Sequence, residues 1–276
     1  MHPLRRPVAL LAATVAALAV AIPSTASAHS RVKEFPLAEF ALPADITAGP
    51  DGALWAPDSS LGRLWRVTTK GKVSSMPLGS GPIAVANGRD GALWVADRED
   101  MIHRVTTGGQ VTSYPLPTPG SFPASIVAGP DGALWFTESG GNKVGRITTS
   151  GELTEFPLET PDSLPGPIVT GRDGALYFAE RNTNVITRMT AAGKVTRRFP
   201  LPTADANPVS LLPTRHGLLI SEQATGLLRP INLGGWFSWP LRTKSSPGAT
   251  TLGPDGNLWY ASGSESTIGR VRLGRR

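Results

Sequence analysis

Cysteine is absent from this 276-residue chain, and histidine occurs only four times. The lack of cysteine excludes a disulfide framework, a Cys/His zinc site and a lipid-attachment cysteine after a signal sequence. Beyond the first 28 residues, the only side chains able to act as an imidazole base are His29, His103 and His216. Such a chain must be stabilised by its core alone, and about 250 residues are enough to form one.

Long hydrophobic runs are also missing, except for one at the N-terminus. Arg5 and Arg6 precede the apolar run Val8–Ile22, and Ala26-Ser27-Ala28 follows it as a small-residue cleavage site. This order is typical of a secretory signal peptide, and the run is too short and too rich in alanine for a typical membrane span. An uncleaved anchor is the alternative. We expect residues 1–28 to be removed near Ala28, and the protein to be secreted to the cell envelope or beyond without a membrane span.

Charge of one sign is not concentrated anywhere in the chain before its last residues. The formal charge is +6, or +4 without Arg5 and Arg6, and the basic residues are spread along the sequence until the tail from Arg270 to Arg276. No stripe of lysine and arginine alternates with aromatic residues, which argues against a nucleic-acid partner. We expect a monomer whose partner is a small-molecule or peptide-like ligand.

A ten-residue phrase recurs six times and organises the sequence. It starts with a tight turn of the Pro-Asp-Gly type, continues as a short apolar run and ends on an acid, a pattern that predicts a turn followed by a strand. The copies are Gly49–Asp58, Gly88–Asp97, Gly129–Glu138, Gly171–Glu180, Gly253–Ser262 and the degraded Pro213–Glu222, in which His216 replaces the turn glycine. The spacing of 39 to 42 residues indicates a repeat architecture.

Each repeat divides into four short strands. In the third repeat these are Ser125–Ala128, Ala133–Glu138, Lys143–Thr148 and Glu152–Leu158, separated by polar or glycine-rich turns. Six such units without any helical period predict an all-β fold, a six-bladed β-propeller with four antiparallel strands per blade that comprises residues 29–276 as a single domain.

The last repeat lacks a fourth strand, and the mature N-terminus supplies one. Val271-Arg272-Leu273 ends the third strand of that repeat, whereas Val32–Leu37 reads like the fourth strand that contains Glu155-Phe156-Pro157-Leu158. We therefore expect the N-terminal strand to complete the last blade and close the ring, since closure removes an open sheet edge.

One position in the middle of the phrase holds a bulky residue in every copy. The residues are Trp55, Trp94, Trp135, Tyr177, Leu219 and Trp259. Large apolar side chains at one repeated position are typical of packing between blades rather than of a ligand cage.

The position that ends the phrase holds an acid in five of six copies. These acids are Asp58, Asp97, Glu138, Glu180 and Glu222, and the sixth residue is Ser262. Equivalent positions form a ring around a propeller axis, so acids that face the axis would converge on a hard cation such as Mg²⁺ or Ca²⁺. This interpretation assigns Asp58 and Asp97 to ligand binding and Glu138, Glu180 and Glu222 to the metal.

The structural alternative is that every acid pairs with a repeated arginine. Arginine follows each acid position after seven or eight residues, at Arg66, Arg104, Arg146, Arg188, Arg229 and Arg270. Ion pairs of this kind can imitate a functional cluster. No nucleophile elbow, His-Glu-x-x-His motif or phosphate loop is present to decide between the two readings.

The repeated phrases resemble those of the virginiamycin B lyase, or streptogramin B lyase, family. The resemblance rests on Gly129–Glu138, on Gly141–Thr148 and on Glu155–Leu158, and it extends over essentially the whole mature chain. It implies a Mg²⁺-dependent lyase that linearises a cyclic depsipeptide by elimination. In that family a histidine directly after a strand-entry proline takes part in proton abstraction, and a glutamate that ends the following strand helps to hold the metal.

Only the glutamate of that family pattern transfers to this sequence. Glu138 matches best, followed by Glu180 and Glu222. The histidine position, here named the histidine slot, lies eight residues before each turn residue and holds Ala44, Ile83, Ala124, Gly166, Pro208 (or Val209 with a one-residue slip) and Gly248. None of these side chains can accept a proton, and the lyases of the family have seven blades rather than six.

Three functions follow from these observations. The leading hypothesis is an exported lyase-like propeller that binds a ligand or partner at its axial mouth without the family's elimination chemistry. The second is an active metal-dependent lyase or lactone hydrolase in which a carboxylate or metal-bound water is the base. The third is an interaction scaffold of the cell envelope without a small ligand.

The export hypothesis predicts the mass of the mature protein. When the full chain is expressed in a secreting host, the recovered protein should begin at His29, because the A-x-A motif directs cleavage after Ala28. Intact-mass spectrometry measures this, with an Ala26→Arg, Ala28→Arg double variant as the control that should block cleavage. Recovery of an uncleaved, membrane-bound chain would instead support the anchor.

Overall fold

The structure, a computed structural model, describes residues 32–202, 204–214, 217–222, 227–232, 235–236, 249–262 and 267–271. The predicted signal peptide, His29 and His216 lie outside these residues. The described residues all belong to one contact unit, Arg31–Arg276. No helix in this part of the chain has the length and apolar character needed to cross a membrane.

Every regular element of the described residues is a β-strand. The strands are β1 (Val32–Pro36), β2 (Thr47–Ala48), β3 (Ala53–Asp58), β4 (Arg63–Thr68), β5 (Val73–Pro77), β6 (Pro82–Asn87), β7 (Leu93–Asp97), β8 (Met101–Val105), β9 (Val111–Pro115), β10 (Pro123–Ala128), β11 (Leu134–Glu138), β12 (Lys143–Ile147), β13 (Leu153–Pro157), β14 (Pro165–Thr170), β15 (Leu176–Glu180), β16 (Val185–Met189), β17 (Val195–Pro200), β18 (Pro208–Thr214), β19 (Gly217–Glu222), β20 (Leu227–Asn232), β21 (Gly235–Trp236), β22 (Thr250–Leu252), β23 (Leu258–Ser262) and β24 (Thr267–Val271).

These strands form six four-stranded antiparallel sheets within the described residues. Sheets 1 to 5 each take four consecutive strands, from β2–β5 through β18–β21, and sheet 6 has the order β1-β24-β23-β22. The strand boundaries of sheet 3 agree with those predicted for the third repeat to within two residues. The all-β expectation is confirmed, and the arrangement is that of a β-propeller.

In sheets 1 to 4 the second strand is the most buried and the fourth strand the least. The second strands β3, β7, β11 and β15 are buried along their whole length, whereas the fourth strands β9 and β13 are largely exposed or half-buried. The first strands contact one another in cyclic order, from β2 through β6, β10, β14, β18 and β22 back to β2. The first strands are therefore the innermost.

Polar side chains link the first strands of neighbouring sheets. The Oδ2 atom of Asp45 accepts a hydrogen bond of 2.8 Å from the backbone N–H of Val85, which joins sheet 1 to sheet 2. Ser125 accepts a 3.3 Å bond from the N–H of Ile168, and Ser210 accepts a 3.4 Å bond from the N–H of Thr250. These side chains accept hydrogen bonds from backbone N–H groups of the first strands, which have no further strand beside them to pair with.

The N-terminal strand occupies the fourth position of sheet 6. β1 pairs antiparallel with β24, with Val32 opposite Val271 and Pro36 opposite Thr267. Phe35 stacks on Trp259 with ring centroids 5.6 Å apart, as Tyr114 stacks on Trp94 in sheet 2. The fourth-strand reading of this segment thus agrees with the observed pairing.

The repeated tryptophan position is the centre of a three-residue cluster. In sheet 3 the Oδ1 atom of Asp131, in the turn, accepts a 3.0 Å bond from Trp135 Nε1, and its Oδ2 atom accepts a 2.7 Å bond from Arg146 Nε. The guanidinium of Arg146 lies 6.0 Å from the centroid of the Trp135 ring. The clusters, here named turn triads, are Asp51/Trp55/Arg66, Asp90/Trp94/Arg104, Asp131/Trp135/Arg146, Asp173/Tyr177/Arg188 and Asp255/Trp259/Arg270.

For Asp58, Asp97, Glu138 and Glu180, the turn triads overturn the structural alternative of the sequence analysis. The arginines of five repeats pair with the aspartate of the turn, and not with the acid that ends the second strand. The prediction was wrong because side chains alternate between the two faces of a sheet. Arg146 is opposite Trp135, and Glu138, three residues after Trp135, faces the other side. In sheet 5 the arginine is shifted by one position, since Arg229 is opposite Ile220 whereas Arg146 is opposite Trp135; its side chain lies outside the described residues.

We expect the replacement Asp131→Asn to destabilise the fold by about 1–2 kcal/mol, because it weakens charge-assisted bonds to a half-buried guanidinium and a buried indole. The measurement is urea unfolding at neutral pH. Asp162→Asn is the matched control, because Asp162 is exposed, and it should change the free energy of unfolding by less than about 0.5 kcal/mol. Equal effects of both variants would contradict a stabilising role for the triad.

Candidate functional site

The first strands and the loops before them surround one cavity of about 800 Å³, here named the central cavity. All six sheets contribute to its wall through residues 44–47, 83–87, 122–128, 166–169, 209–213 and 249–251. Most of these side chains are aliphatic or small, among them Ile83, Ile126, Ile168 and Leu212. The accessible surface of the wall is divided about equally between polar and apolar atoms, and a concave wall that combines the two is compatible with a small-molecule site.

The histidine slot lies on the wall of this cavity. Ile83, Ala124, Gly166 and Val209 line it, each beside a strand-entry proline at which the pairing of the first and second strands slips. A bulge of this type re-aims the extra residue away from the ladder, and proline fits there because it has no N–H to pair. Ala44 also lines the cavity in sheet 1. Gly248 lies outside the described residues.

Three charged side chains line the cavity among the residues that the structure describes: Asp45, Arg98 and Arg181. The sequence analysis assigned none of them a role. Arg98 and Arg181 directly follow the acids at the ends of β7 and β15, and Asp45 directly follows the histidine slot of sheet 1. Because these three residues are adjacent in sequence to the repeated acids and to the histidine slot, the repeat pattern could have suggested them as candidates.

Asp45 is a half-buried acid with a raised pKa. Its Oδ1 atom accepts a 2.8 Å bond from the N–H of Ile46, and its Oδ2 atom accepts the bond from Val85. Burial raises the pKa of Asp45 to about 6, although the two backbone bonds act in the opposite direction. A carboxyl group that titrates near this pH can hold or release a proton under mild conditions.

The two acids assigned to ligand binding are instead buried inside their own sheets. Asp58 accepts bonds from Trp65 Nε1 at 2.9 Å and from Ser60 Oγ at 2.6 Å. Asp97 accepts bonds from the N–H groups of Glu99 at 2.9 Å and Gly81 at 3.2 Å. Burial alone would raise the pKa of Asp58, but the hydrogen bonds outweigh it and the pKa is lowered.

The three glutamates assigned to a metal are also buried, and each belongs to a different sheet. Glu138 accepts a 2.6 Å bond from Ser121 Oγ, and Glu180 accepts a bond from Thr187 and a 3.4 Å bond from Arg198. Glu222 ends β19 and is fully buried. Neither these glutamates nor Asp58 and Asp97 line the central cavity.

The convergence of these acids on the axis is therefore not found. Among the residues described, no group of three or more His, Cys, Asp or Glu side chains could hold a metal ion. Glu138, Glu180 and Glu222 all belong to that set, so their arrangement does not fit one shared Mg²⁺ or Ca²⁺ ion, which needs several oxygen ligands at short range.

The third strand explains the differences between the acids. The third-strand residue two positions after the one paired with each acid lies on the same face of the sheet as the acid. It is Trp65 for Asp58, His103 for Asp97 and Thr187 for Glu180, and all three form a hydrogen bond to the acid. The corresponding residue beside Glu138 is Gly145, which has no side chain to donate. The Oε1 atom of Glu138 is consequently buried without a partner. Burial, the largest cause, raises the pKa of Glu138 to about 7.

Comparison with known proteins identifies the family. The sequence model of the virginiamycin B lyase family matches residues 30–276. The chain belongs to the virginiamycin B lyase family. Among solved structures it is similar to a virginiamycin B lyase from Staphylococcus aureus, with 32% identity, a TM-score of 0.71, and coverage of 83% of this chain and 80% of the other. No match was found among curated protein sequences.

Two further solved structures carry the same family name or chemistry. A streptogramin B lyase has 27% identity and a TM-score of 0.67, and the match covers 88% of this chain and 97% of the other. A catalytically inactive variant of the S. aureus virginiamycin B lyase, in which alanine replaces a histidine, was solved with quinupristin; it has 32% identity and a TM-score of 0.70 over 83% and 80% of the chains. In that relative, loss of one histidine accompanies loss of activity.

We expect the replacement Glu138→Gln to stabilise the protein increasingly as the pH rises from 4.5 to 7. Below that range the carboxyl group is neutral in both the folded and unfolded states, and above it the folded protein carries a buried charge without a full set of partners. The relative gain should reach up to about 3 kcal/mol. Urea unfolding at several pH values measures it, and Glu152→Gln, at an exposed position, controls for the chemical change. A gain that is constant with pH would show that Glu138 is not protonated in the folded state.

Proposed function

We propose that this chain is an exported, virginiamycin B lyase-like β-propeller that binds a small-molecule or peptide-like ligand in the central cavity and does not carry out the family's elimination. The observation that carries the proposal is the composition of the histidine slot. The slot lies on the cavity wall in sheets 1 to 5, and its residues there are Ala44, Ile83, Ala124, Gly166 and Val209. The wall is shaped for a ligand, but it presents no imidazole at the family's position.

The chemistry of elimination explains the importance of this slot. Removal of a proton next to a carbonyl group needs a base with a pKa near neutral and a cation that stabilises the developing enolate. The slot residues can do neither. The acids that could hold a cation are dispersed inside separate sheets, so this proposal assigns no step to a metal.

The proposal includes six blades closed by the N-terminal strand. The cyclic contacts of the first strands support a ring, and the core cluster that contains Phe35, Trp259, Leu54 and Trp65 joins sheet 6 to sheet 1. Gly71 of sheet 1 packs directly on the ring of Phe35, since an added Cβ would lie 2.5 Å from it. Its φ of 93° is a second reason for glycine at this turn.

Export rests on the sequence alone. The family match starts at residue 30, just after the predicted cleavage site at Ala28, as expected if the first 28 residues are a leader that is absent from the mature propeller. We propose that the mature domain functions outside the cytoplasm.

The proposal is tested with quinupristin as the probe. We expect isothermal titration calorimetry to detect binding and mass spectrometry to detect no linear product. Ala124→Trp should weaken binding at least tenfold, because a large side chain at this wall position fills part of the cavity. Ala192→Trp is the matched control at an exposed turn and should leave binding unchanged. Steady formation of the linear product, or binding that Ala124→Trp leaves intact, would contradict the proposal.

A second candidate function is supported by Asp45. This acid lines the cavity, and its raised pKa suits a general base or acid. The chain would then be a lyase or lactone hydrolase that uses a carboxylate where the family uses a histidine. The residues described give no shared site for the divalent metal that our sequence analysis attached to this alternative.

This second function predicts turnover that Asp45→Asn abolishes and that follows ionisation of a group near pH 6. A panel of cyclic depsipeptides and lactones, assayed by mass spectrometry, is the appropriate measurement. Asp58→Asn is the control, because that acid is buried away from the cavity. The melting temperature in millimolar Mg²⁺ or Ca²⁺ and in EDTA should be the same, since only a native-state cation site would raise it; a clear rise would restore the metal-dependent form of this hypothesis.

A further inference from the structure

Two arginines face the central cavity without a counter-ion. Arg98 and Arg181 follow the second strands of sheets 2 and 4, and both line the cavity. Neither forms an ion pair or a side-chain hydrogen bond within the described residues, in contrast to the arginines of the turn triads. A guanidinium group that borders a cavity with no carboxylate beside it offers its donors to whatever enters.

Arg181 is the more constrained of the two side chains. Its Nε–H is buried without a hydrogen-bond partner, a state that costs free energy unless an acceptor is supplied. The side chain lies against Gly166, where an added Cβ would be only 2.9 Å from Nε. Gly166 is the histidine slot of sheet 4, so a permanent cation lies beside the place where the family's pattern has a base.

The two guanidinium groups belong to the wall of the same cavity, one in sheet 2 and one in sheet 4. Burial, the larger cause, and the charge of Arg98 lower the pKa of Arg181. Like charges on one cavity wall repel each other, and an anion bound between them offsets that repulsion. Ser139, on the intervening sheet, also lines the cavity, but its hydroxyl already donates to the carbonyl of Phe122 at 2.8 Å.

We infer that the central cavity binds a monovalent carboxylate with an apolar body, and that Arg98 and Arg181 bind the carboxylate. The charge count supports a single negative charge, since Asp45 is the third charged side chain of the described wall and leaves an excess of one positive charge when ionised. The planar guanidinium fork matches the two oxygens of a carboxylate. The aliphatic wall and the half-exposed ring of Phe122 would contact the apolar body.

This inference rests on the proposed function and specifies the ligand class of the same cavity. The probe is naphthylacetate, compared with the neutral naphthylacetamide, with affinities measured by calorimetry at low salt. We expect the acid to bind at least tenfold more tightly than the amide, and Arg181→Gln and Arg98→Gln each to reduce affinity for the acid about tenfold or more. Arg181→Lys should retain part of the affinity. Arg172→Gln, the same charge change at an exposed turn, should have no effect.

The outcomes separate the two proposals. Equal affinity for acid and amide, with both lost in Ala124→Trp, would overturn the carboxylate inference and leave cavity binding intact. Binding that is insensitive to Ala124→Trp would overturn both. Tight binding of inorganic phosphate in preference to the acid would overturn the assignment to a monovalent carboxylate. Melting curves of each variant verify folding, and if Arg181→Gln does not fold, Arg98→Gln and Arg181→Lys decide the question.

Discussion

The structure depends on one contact that is repeated from sheet to sheet: a turn aspartate that accepts hydrogen bonds from an aromatic ring of the second strand and an arginine of the third. In sheet 3 this contact joins Asp131, Trp135 and Arg146. It fixes the turn between the first two strands, and thereby the register in which the first strand runs along the inside. The first strands form most of the cavity wall. The geometry of the site therefore follows from contacts made at the turn that ends each first strand.

The cavity wall is shaped by irregularities rather than by regular pairing. A proline at the start of the first strand cannot donate to the ladder, and the bulge beside it turns the next residue toward the cavity. In this chain the turned-out residues are small or aliphatic, and the charged groups of the wall come from Asp45, Arg98 and Arg181. The histidine slots of the described wall hold no base, and two arginines line the same wall.

The repeat, the strand order and the family could be predicted from the sequence, because each rests on local phrases of fixed period. The partners of Arg66 and Arg146 could not, since strand alternation places neighbouring residues on opposite faces and the period alone does not reveal the face. The period also predicted Glu138, Glu180 and Glu222 at the axis, because equivalent positions form a ring, but all three are buried and none lines the central cavity. Arg98 and Arg181 each directly follow one of the repeated acids, Asp97 and Glu180. The repeat pattern does not indicate that they line the cavity, which only the three-dimensional structure shows.

The pairing of β1 with β24 has a consequence for the order of folding. Val32 and Val271 are adjacent in space but far apart in the sequence, and contacts between such distant residues form slowly because a long loop must be closed first. The strand synthesised first must wait for the strand synthesised last. Sheet 6 is therefore completed only after nearly the whole chain has been synthesised, whatever the state of the other five sheets.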